Sequence, residues 1–424
     1  MSTTDQRTLP AVSLDPALWP DIARVPANQA RGRIARVLFS RVVRKLPLHV
    51  LLPDGRVLGA GALAGPVMRL RRPEQFFLRI GESGLVGFGE AYMAGDWETD
   101  DLAGVLEVFA ARVGELIPPS LQRLRQLALL RHPSSDSQAK HNQKNNIARH
   151  YDLSNDLFAL FLDDTLTYSS ALFPGVADSR PSAAWDDLAD ASRRKVDRLL
   201  DATGVRAGST VLEIGTGWGE LALRAAGRGA KVHSITLSEE QRDLALARVR
   251  EAGLEDLVTI DLCDYRDVEG RYDAVVSVEM IEAVGYEYWP EYFATLDKHV
   301  LPGGKVGLQA ITMPHDRMVA SKDTFTWIHK YIFPGGIIPS VTSIEQSLFE
   351  HTSLRITDRF AFGQHYAETL RLWRERFEAR ADAVEHLGFD ETFRRMWSLY
   401  LAYSEAGFAS GYLDVYQFVF EKGR

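Results

Sequence analysis

The sequence predicts an α/β protein in which a doubly wound, Rossmann-like domain follows a smaller amino-terminal α+β domain. Three observations carry this reading. From Ser192 to Thr312 helical and strand patterns alternate, the rhythm of a parallel sheet covered by helices. Within that stretch VLEIGTGWGE, Val211 to Glu220, runs from a buried-strand pattern into a glycine turn. Upstream, PSSDSQAKHNQK is polar and poor in apolar residues, the composition of a linker. The expected division of the 424 residues is therefore 1–132, a linker at 133–144, and 145–424.

In the first domain RGRIARVLFSRVVRKL sets Arg31, Arg33, Arg36, Arg41, Arg44 and Lys45 among Ile34, Val37, Leu38, Phe39, Val42 and Val43. That is an amphipathic helix with a cationic face, which either packs its apolar side on its own domain or lies on an anionic membrane surface. LHVLLPDGRVLGAG predicts two strands joined at a Pro-Asp-Gly turn, and PVMRLRRPEQFFLRIG a second pair interrupted at Arg72–Pro73. DDLAGVLEVFAARVGELI is a helix ended by Pro118 and Pro119, and SLQRLRQLALLRH a further basic helix. In the second domain SRRKVDRLLDATG is a helix, TVLEIG a strand, GELALRAAGRG a helix, KVHSITL a strand, SEEQRDLALARVREAG a helix and VTIDLC a strand. YDAVVSVEM continues as a strand, YWPEYFATLDKHVLPGG as a helix with a glycine end, and KVGLQAIT as a strand.

Composition narrows the functional classes. Hydrophobic residues make up 46% of the chain, enough for a sizeable core, yet no apolar run approaches the roughly 20 residues that span a bilayer. The opening MSTTDQRTLP lacks a basic-then-apolar signal pattern, so a cytoplasmic protein is expected. A single cysteine, Cys263, leaves no internal disulfide and no multi-cysteine metal centre. The net charge of −8 argues against a nucleic-acid partner, but it is unevenly spread. Residues 1–150 carry 20 Lys/Arg against 14 Asp/Glu, while residues 151–424 carry 29 against 43, so the front of the protein is basic.

A strand, a turn with Gly215, Gly217 and Gly219, and a helix form a cradle for an adenosine-containing ligand, because glycine lets the backbone approach closely. A dinucleotide fingerprint places its third glycine one residue later and aims a pyrophosphate at the helix start. Here the acidic Glu213 sits in the strand just before the loop. A carboxylate repels a pyrophosphate and attracts a sulfonium or ammonium cation, so the pattern points to S-adenosylmethionine.

Several stretches resemble the cyclopropane fatty acid synthase family of S-adenosylmethionine-dependent methyltransferases, and the likeness extends over nearly all of residues 141–424. They are NIARHYDLSNDLFALFLDDTLTYSSALF, VLEIGTGWGELA at the cofactor loop, ITLSEEQ at the turn after the second strand, and VEMIEAVG at the catalytic loop. YIFPGG, GQHYAETLRLW and YLAYSEAGF complete the resemblance. It implies cofactor contacts at Tyr168, Ser169, Glu213, Gly215 and Gly217, at Thr236, Leu237 and Gln241 for ribose and adenine, and at Asp264 and Tyr265 for the adenine edge. It also implies a bound bicarbonate as the base, anchored by Glu282, hydrogen-bonded by Tyr366 and completed by Ser170, Gln309 and Ile311. Glu279, three residues before Glu282, competes on spacing alone, and the motif position favours Glu282. Phe158, Phe173, Tyr366 and carboxy-terminal Trp and Tyr residues are the implied walls of an apolar pocket whose ring faces stabilise a carbocation.

Two departures from the family pattern bear on the product. Ser170 stands where members have cysteine, and Gln309 where they have histidine, followed by Ala310 and Ile311. Glutamine donates a hydrogen bond but does not titrate, which bears against the ring-closing removal of a proton. The Gln-Ala-Ile-Thr stretch resembles the branch of the family that makes methylene and then methyl-branched chains of the tuberculostearic type, which implies a methylene-branched product. Family members that act on intact phospholipids carry an extra amino-terminal domain. The resemblance therefore implies a methyltransferase acting on the double bond of an unsaturated acyl phospholipid, peripheral on the inner face of the plasma membrane. Its expected partners are that phospholipid, the anionic membrane surface, a separate reductase and a second copy in a homo-oligomer. A cyclopropane synthase on the same substrate is the first alternative; a small-molecule methyltransferase and a non-catalytic lipid-binding protein are the others.

Overall fold

A computed structural model describes residues 14–59, 65–112, 154–322 and 324–424. The basic helix expected at 120–132 and the linker expected at 133–144 lie outside the described residues. The chain forms two compact units. The first takes the described residues up to 112 together with Ala381–Tyr403; the second takes residues 154–380 and Ser404–Arg424. The region expected to be one catalytic stretch, 145–424, is thus interrupted by a segment that belongs to the first unit.

The first unit is α+β. It contains α1 (Pro20–Ala23), α2 (Gln29–Val43), β1 (His49–Leu51), β2 (Val57–Leu58), β3 (Val67–Leu70), α3 (Pro73–Ser83), α4 (Leu85–Met93), β4 (Trp97–Glu98) and α5 (Leu102–Ala110). Its sheet runs β2-β1-β3-β4, with only the β1–β3 pair parallel. The expected second strand pair is half right. PVMRL gives β3, but Pro73 opens α3 instead of interrupting a hairpin, because proline at the first helical position has its φ pre-set and no missed N–H bond. Helix α2 begins at Asn28, whose side chain accepts the Arg31 N–H. It packs on α3 through its small and aromatic side: Gly32 lies against Leu78, and the Phe39 ring meets Phe76 and Phe77 edge-on at 5.2 and 5.8 Å.

The second unit is the doubly wound sheet. Its elements are α6 (Asn155–Phe161), α7 (Leu188–Thr203), β5 (Thr210–Ile214), α8 (Glu220–Gly227), β6 (Lys231–Thr236), α9 (Glu239–Glu251), β7 (Val258–Leu262), β8 (Tyr272–Val278), α10 (Trp289–His299) and β9 (Val300–Thr312). There follow α11 (His315–Ser321), α12 (Trp327–Tyr331), α13 (Val341–His351), β10 (Leu354–Ala361), α14 (Gly363–Ala379), α15 (Ala381–His386), α16 (Glu391–Ala409) and β11 (Asp414–Lys422), of which Ala381–Tyr403 counts with the first unit. The strand order is β10-β11-β9-β8-β5-β6-β7. Strands β5 to β9 pair in parallel, as the alternation from Ser192 to Thr312 predicts, and β11 runs antiparallel between β9 and β10, beyond that stretch. Helix α10 ends at His299, and the Pro-Gly-Gly expected to end it lies inside β9.

Successive residues of the strands feed opposite cores, as a period of two requires. Val211, Ala274 and Val276 pack with Leu199, Leu221 and Val249 of α7, α8 and α9. Leu212 and Val275 pack on the other face with Trp289, Phe293 and Leu296 of α10 and Ile344 and Leu348 of α13. The sheet winds away from β5 in two directions, through β6 and β7 on one side and β8 and β9 on the other. Its ligand crevice is expected where the order reverses, at the carboxyl ends of β5 and β8.

Candidate active site

A cleft opens at that point. The chain leaves β5 at Ile214 and turns through Gly215, Gly217 and Gly219, with φ of 96°, 52° and 90°, before α8 starts at Glu220. These left-handed angles are open to glycine and costly for other residues. A Cβ built on Gly217 meets no protein atom within 4 Å, so that face of the loop looks into the cleft. The lining includes Tyr168 and Ser169 from the segment before α7, Glu213, Gly215 and Gly217, then Thr236, Leu237 and Gln241 around the β6–α9 turn, and Tyr265 after β7. Glu279 and Met280 after β8 close it, with Lys195 of α7. Of the residues implied as cofactor contacts, Asp264 alone is not among these lining residues; Arg266 donates to its carboxylate from Nε at 2.8 Å and Nη2 at 2.6 Å.

Glu213 is 3% exposed, and its Oε2 accepts from Ser234 Oγ at 2.5 Å. Burial pushes its carboxyl up to about 8, against the pull of Ser234 and Lys195. Ser238 caps α9 by accepting the Gln241 N–H at 3.1 Å, which holds Gln241 Oε1 3.2 Å from Thr236 Oγ1, the donor. Rings gather behind Tyr168: Phe158 at 5.1 Å and Trp373 at 5.4 Å between centroids. Phe158 also meets Trp218 at 4.9 Å, and Tyr366 lies 4.5 Å from Phe408. Phe173 sits apart, packed on His365, whose Nδ1 accepts the Phe173 N–H at 3.0 Å.

The polar end of the cleft is built around Glu279. Its Oε1 accepts from the Ser170 N–H at 3.0 Å and from Gln309 Nε2 at 2.7 Å, and its Oε2 accepts from Tyr366 Oη at 2.7 Å. Gln309 is oriented by Gln417, whose Nε2 donates to Gln309 Oε1 at 3.0 Å; Arg198 Nη1 in turn donates to Gln417 Oε1 at 2.8 Å. Lys195 is 1% exposed and donates to Ser169 Oγ at 2.7 Å. Burial lowers its ammonium to about 8, with Glu279 the largest opposing charge. Glu279 itself has φ of 52°, a conformation that costs a non-glycine residue about 1–2 kcal/mol. Glu282 stands apart from this cluster. Its Oε1 accepts the Ile311 N–H at 2.6 Å, and among the described residues its Oε2 has no hydrogen-bond partner. Burial, reinforced by the charge of Glu279, pushes the Glu282 carboxyl up to about 8.

The family described as mycolic acid cyclopropane synthetase matches residues 138–418. The chain belongs to this family. As a mycolic acid cyclopropane synthetase family member it is an S-adenosylmethionine-dependent methyltransferase. It is 55% identical over 418 residues to the tuberculostearic acid methyltransferase UfaA1 of Mycobacterium tuberculosis, covering 98% of each chain. It is 34% identical to the cyclopropane-fatty-acyl-phospholipid synthase of Escherichia coli, over 84% of this chain and 88% of that one. The cyclopropane synthase MmaA2 of M. tuberculosis superimposes with a TM-score of 0.59 at 30% identity, over 66% of this chain and 98% of that one. CmaA1, solved with S-adenosylhomocysteine, gives the same TM-score at 28% identity and the same coverage.

For a member of this family two small molecules need testing against the residues present. S-adenosylmethionine fits: the Gly217 face is open where a side chain would project, and the acidic Glu213 lies beside it. Bicarbonate does not fit. Ser170, Gln309 and Tyr366, three of the five groups expected to hold it, already donate to Glu279, and the expected anchor Glu282 is engaged with the fifth, Ile311. An added anion there faces two carboxyl groups with these donors already committed. The groups implied for a bicarbonate site, Ser170, Glu282, Gln309, Ile311 and Tyr366, thus pair among themselves and with Glu279. Sequence reasoning passed over Lys195, although it falls on the buried stripe of α7 with Leu188, Ser192 and Leu199, a place where a lysine is rare.

Proposed function

We propose that this methyltransferase adds a methyl group to the double bond of an unsaturated acyl chain on a membrane phospholipid and releases a methylene-branched chain. The observation that carries the reading is the 55% identity, along 98% of both chains, with a tuberculostearic acid methyltransferase. The name of the E. coli relative supplies the phospholipid. That relative also favours the second reading, ring closure to a cyclopropane on the same substrate.

S-adenosylmethionine, when bound, supplies an electrophilic methyl group, the electron pair of its C–S bond staying on sulfur. In this reading Glu213 faces the cationic part of the cofactor, Gly215 and Gly217 let it approach the backbone, and Gln241 and Tyr265 meet its nucleoside. The rings of Phe158, Tyr168, Trp218 and Trp373 keep water from the reacting carbons and offer π-faces to a carbocation.

Helix α2 serves as the membrane contact. Its small side packs on α3, while Ile34, Val37 and Leu38 are 61%, 65% and 42% exposed beside Arg33, Arg36 and Arg41. Large exposed aliphatics among arginines suit the anionic inner face of a plasma membrane. No helix among the described residues is long and apolar enough to cross a bilayer. A methylene-branched product is chemically a substrate for a separate reductase, which would leave a saturated methyl branch.

The test uses the full chain, S-adenosylmethionine with a deuterated methyl group, and vesicles of dioleoyl phosphatidylglycerol. Mass spectrometry is expected to find label in the acyl chain, in a product whose methylene double bond, formed in place of the original one, takes up hydrogen under mild catalytic hydrogenation. A labelled product that resists hydrogenation selects the cyclopropane reading, and unlabelled lipid overturns both.

A further inference from the structure

We infer that Glu279 is the resident base of this site: its carboxylate takes the proton that the methylated acyl chain gives up, so the reaction needs no bicarbonate. The inference rests on the acyl-chain reading above and names the group that completes it.

Geometry carries the argument. Three donors from distant parts of the chain converge on the one carboxylate: the Ser170 N–H at 3.0 Å, Gln309 Nε2 at 2.7 Å and Tyr366 Oη at 2.7 Å. Three donors and no acceptor define a site for an anion, and Glu279 fills it from within the chain. Glu279 also lines the cleft beside Gly215 and Met280, so the carboxylate stands next to the glycine loop. Its backbone is held in the left-handed region, φ 52°, with its N–H donated to the Gln309 carbonyl at 2.8 Å. Strain of this kind persists only where the surroundings over-determine it, and it collects at working sites.

The two glutamates sit in different surroundings. Burial raises the Glu279 carboxyl, while Lys195, Gln309, Ser170 and Tyr366 all favour its ionised form. At Glu282, with one backbone N–H on one oxygen, the charge of Glu279 adds to the rise caused by burial. The two carboxyl groups thus differ in their partners: Glu279 has three donors and a buried ammonium nearby, and Glu282 a single backbone N–H.

The chemistry balances without a further reagent. Methyl transfer forms a C–C bond at one alkene carbon and leaves the positive charge on the other. A hydride shift moves that charge to the carbon bearing the new methyl group. A C–H bond of that methyl then breaks, its electron pair closes the exocyclic double bond, and the proton passes to a Glu279 oxygen. The proton leaves to water when the product departs.

The experiment compares the parent with Glu279→Gly and Glu279→Gln, assayed on dioleoyl phosphatidylglycerol vesicles in buffer freed of carbon dioxide and again with added bicarbonate. The parent is expected to turn over equally in both. Glu279→Gly should lose about 10²-fold or more without bicarbonate, the scale of a positioned acid–base group, and regain activity with it. Glu279→Gln, equal in shape but not basic, should lose as much and regain nothing. Calorimetry with S-adenosylmethionine should find binding in all three, which separates loss of a base from loss of the fold. An active parent whose rate depends on added bicarbonate overturns the inference and leaves the acyl-chain reading standing. Full activity of either variant without bicarbonate overturns it too, as does a glycine variant that bicarbonate does not revive. A parent that methylates no lipid overturns the acyl-chain reading and the inference with it.

Discussion

Glu213 couples the cleft to pH. In the protein alone burial holds its carboxyl near 8, so below that pH it is protonated. A cationic ligand beside it favours the carboxylate, and binding must therefore expel a proton. Affinity for S-adenosylmethionine is expected to rise with pH, by up to about tenfold per unit, and to flatten above about 8. Calorimetry in two buffers of different ionisation enthalpy reads the released proton directly, and Glu213→Gln should remove both the release and the slope; a parent with neither would disconnect Glu213 from the cofactor. Residues of this kind were legible because strand, acid and glycine turn are neighbours in sequence. Glu279 was not. Its partners Ser170 and Tyr366 lie 109 and 87 positions away, and its spacing from Glu282 suggests a helical turn that the left-handed φ of 52° breaks. Local spacing carries no trace of a side chain that turns back on a reversed backbone.

At the scale of elements, the alternation of strand and helix from α7 to β9 was readable because each unit buries a repeating apolar face. The far edge of the sheet was not readable in that way. After β9 the chain leaves through α11, α12 and α13, and β11 returns antiparallel, so no strand–helix–strand repeat announces it. Helix α2 was legible as amphipathic, but the sequence left open which side it buries. Gly32, Ala35 and Val43 face inward and Ile34, Val37 and Leu38 outward, an arrangement that inverts the usual sorting by size. Two variants separate the contributions of charge and apolar surface. Arg33→Glu with Arg36→Glu and Arg44→Glu should weaken binding to anionic vesicles and flatten its salt dependence. Ile34→Ser with Val37→Ser and Leu38→Ser should weaken binding at all salt concentrations while leaving cofactor affinity unchanged. Sedimentation with vesicles reads both, and parent-like binding by the two variants would return α2 to an ordinary surface helix.

For the molecule as a whole, the buried titratable groups set a pH window for stability. Glu213 and Glu282 rise from 4.5 to about 8 on folding, so the folded chain holds protons that the unfolded chain releases. Their contribution is complete below the unfolded value and is lost as pH climbs through about 8. His299 and His365, lowered from 6.5 by burial, act in the opposite direction, and only below that value. Lys195, lowered from 10.5 to about 8, restores stability only above 8. The Tm of the protein without ligand is therefore expected to fall between about pH 7 and about pH 8. Scanning calorimetry across that interval checks it, and a rising Tm would remove these glutamates from the balance. The two units add a consequence of a different kind. Because Ala381–Tyr403 belongs with the amino-terminal residues, neither unit is a continuous stretch of chain. During synthesis the ribosome must deliver nearly the entire polypeptide before the first unit can close, so the portion made first is among the last to be finished. A stalled or truncated product ending before residue 403 would leave that unit incomplete and exposed to proteolysis, however well the sheet beyond it had begun to form.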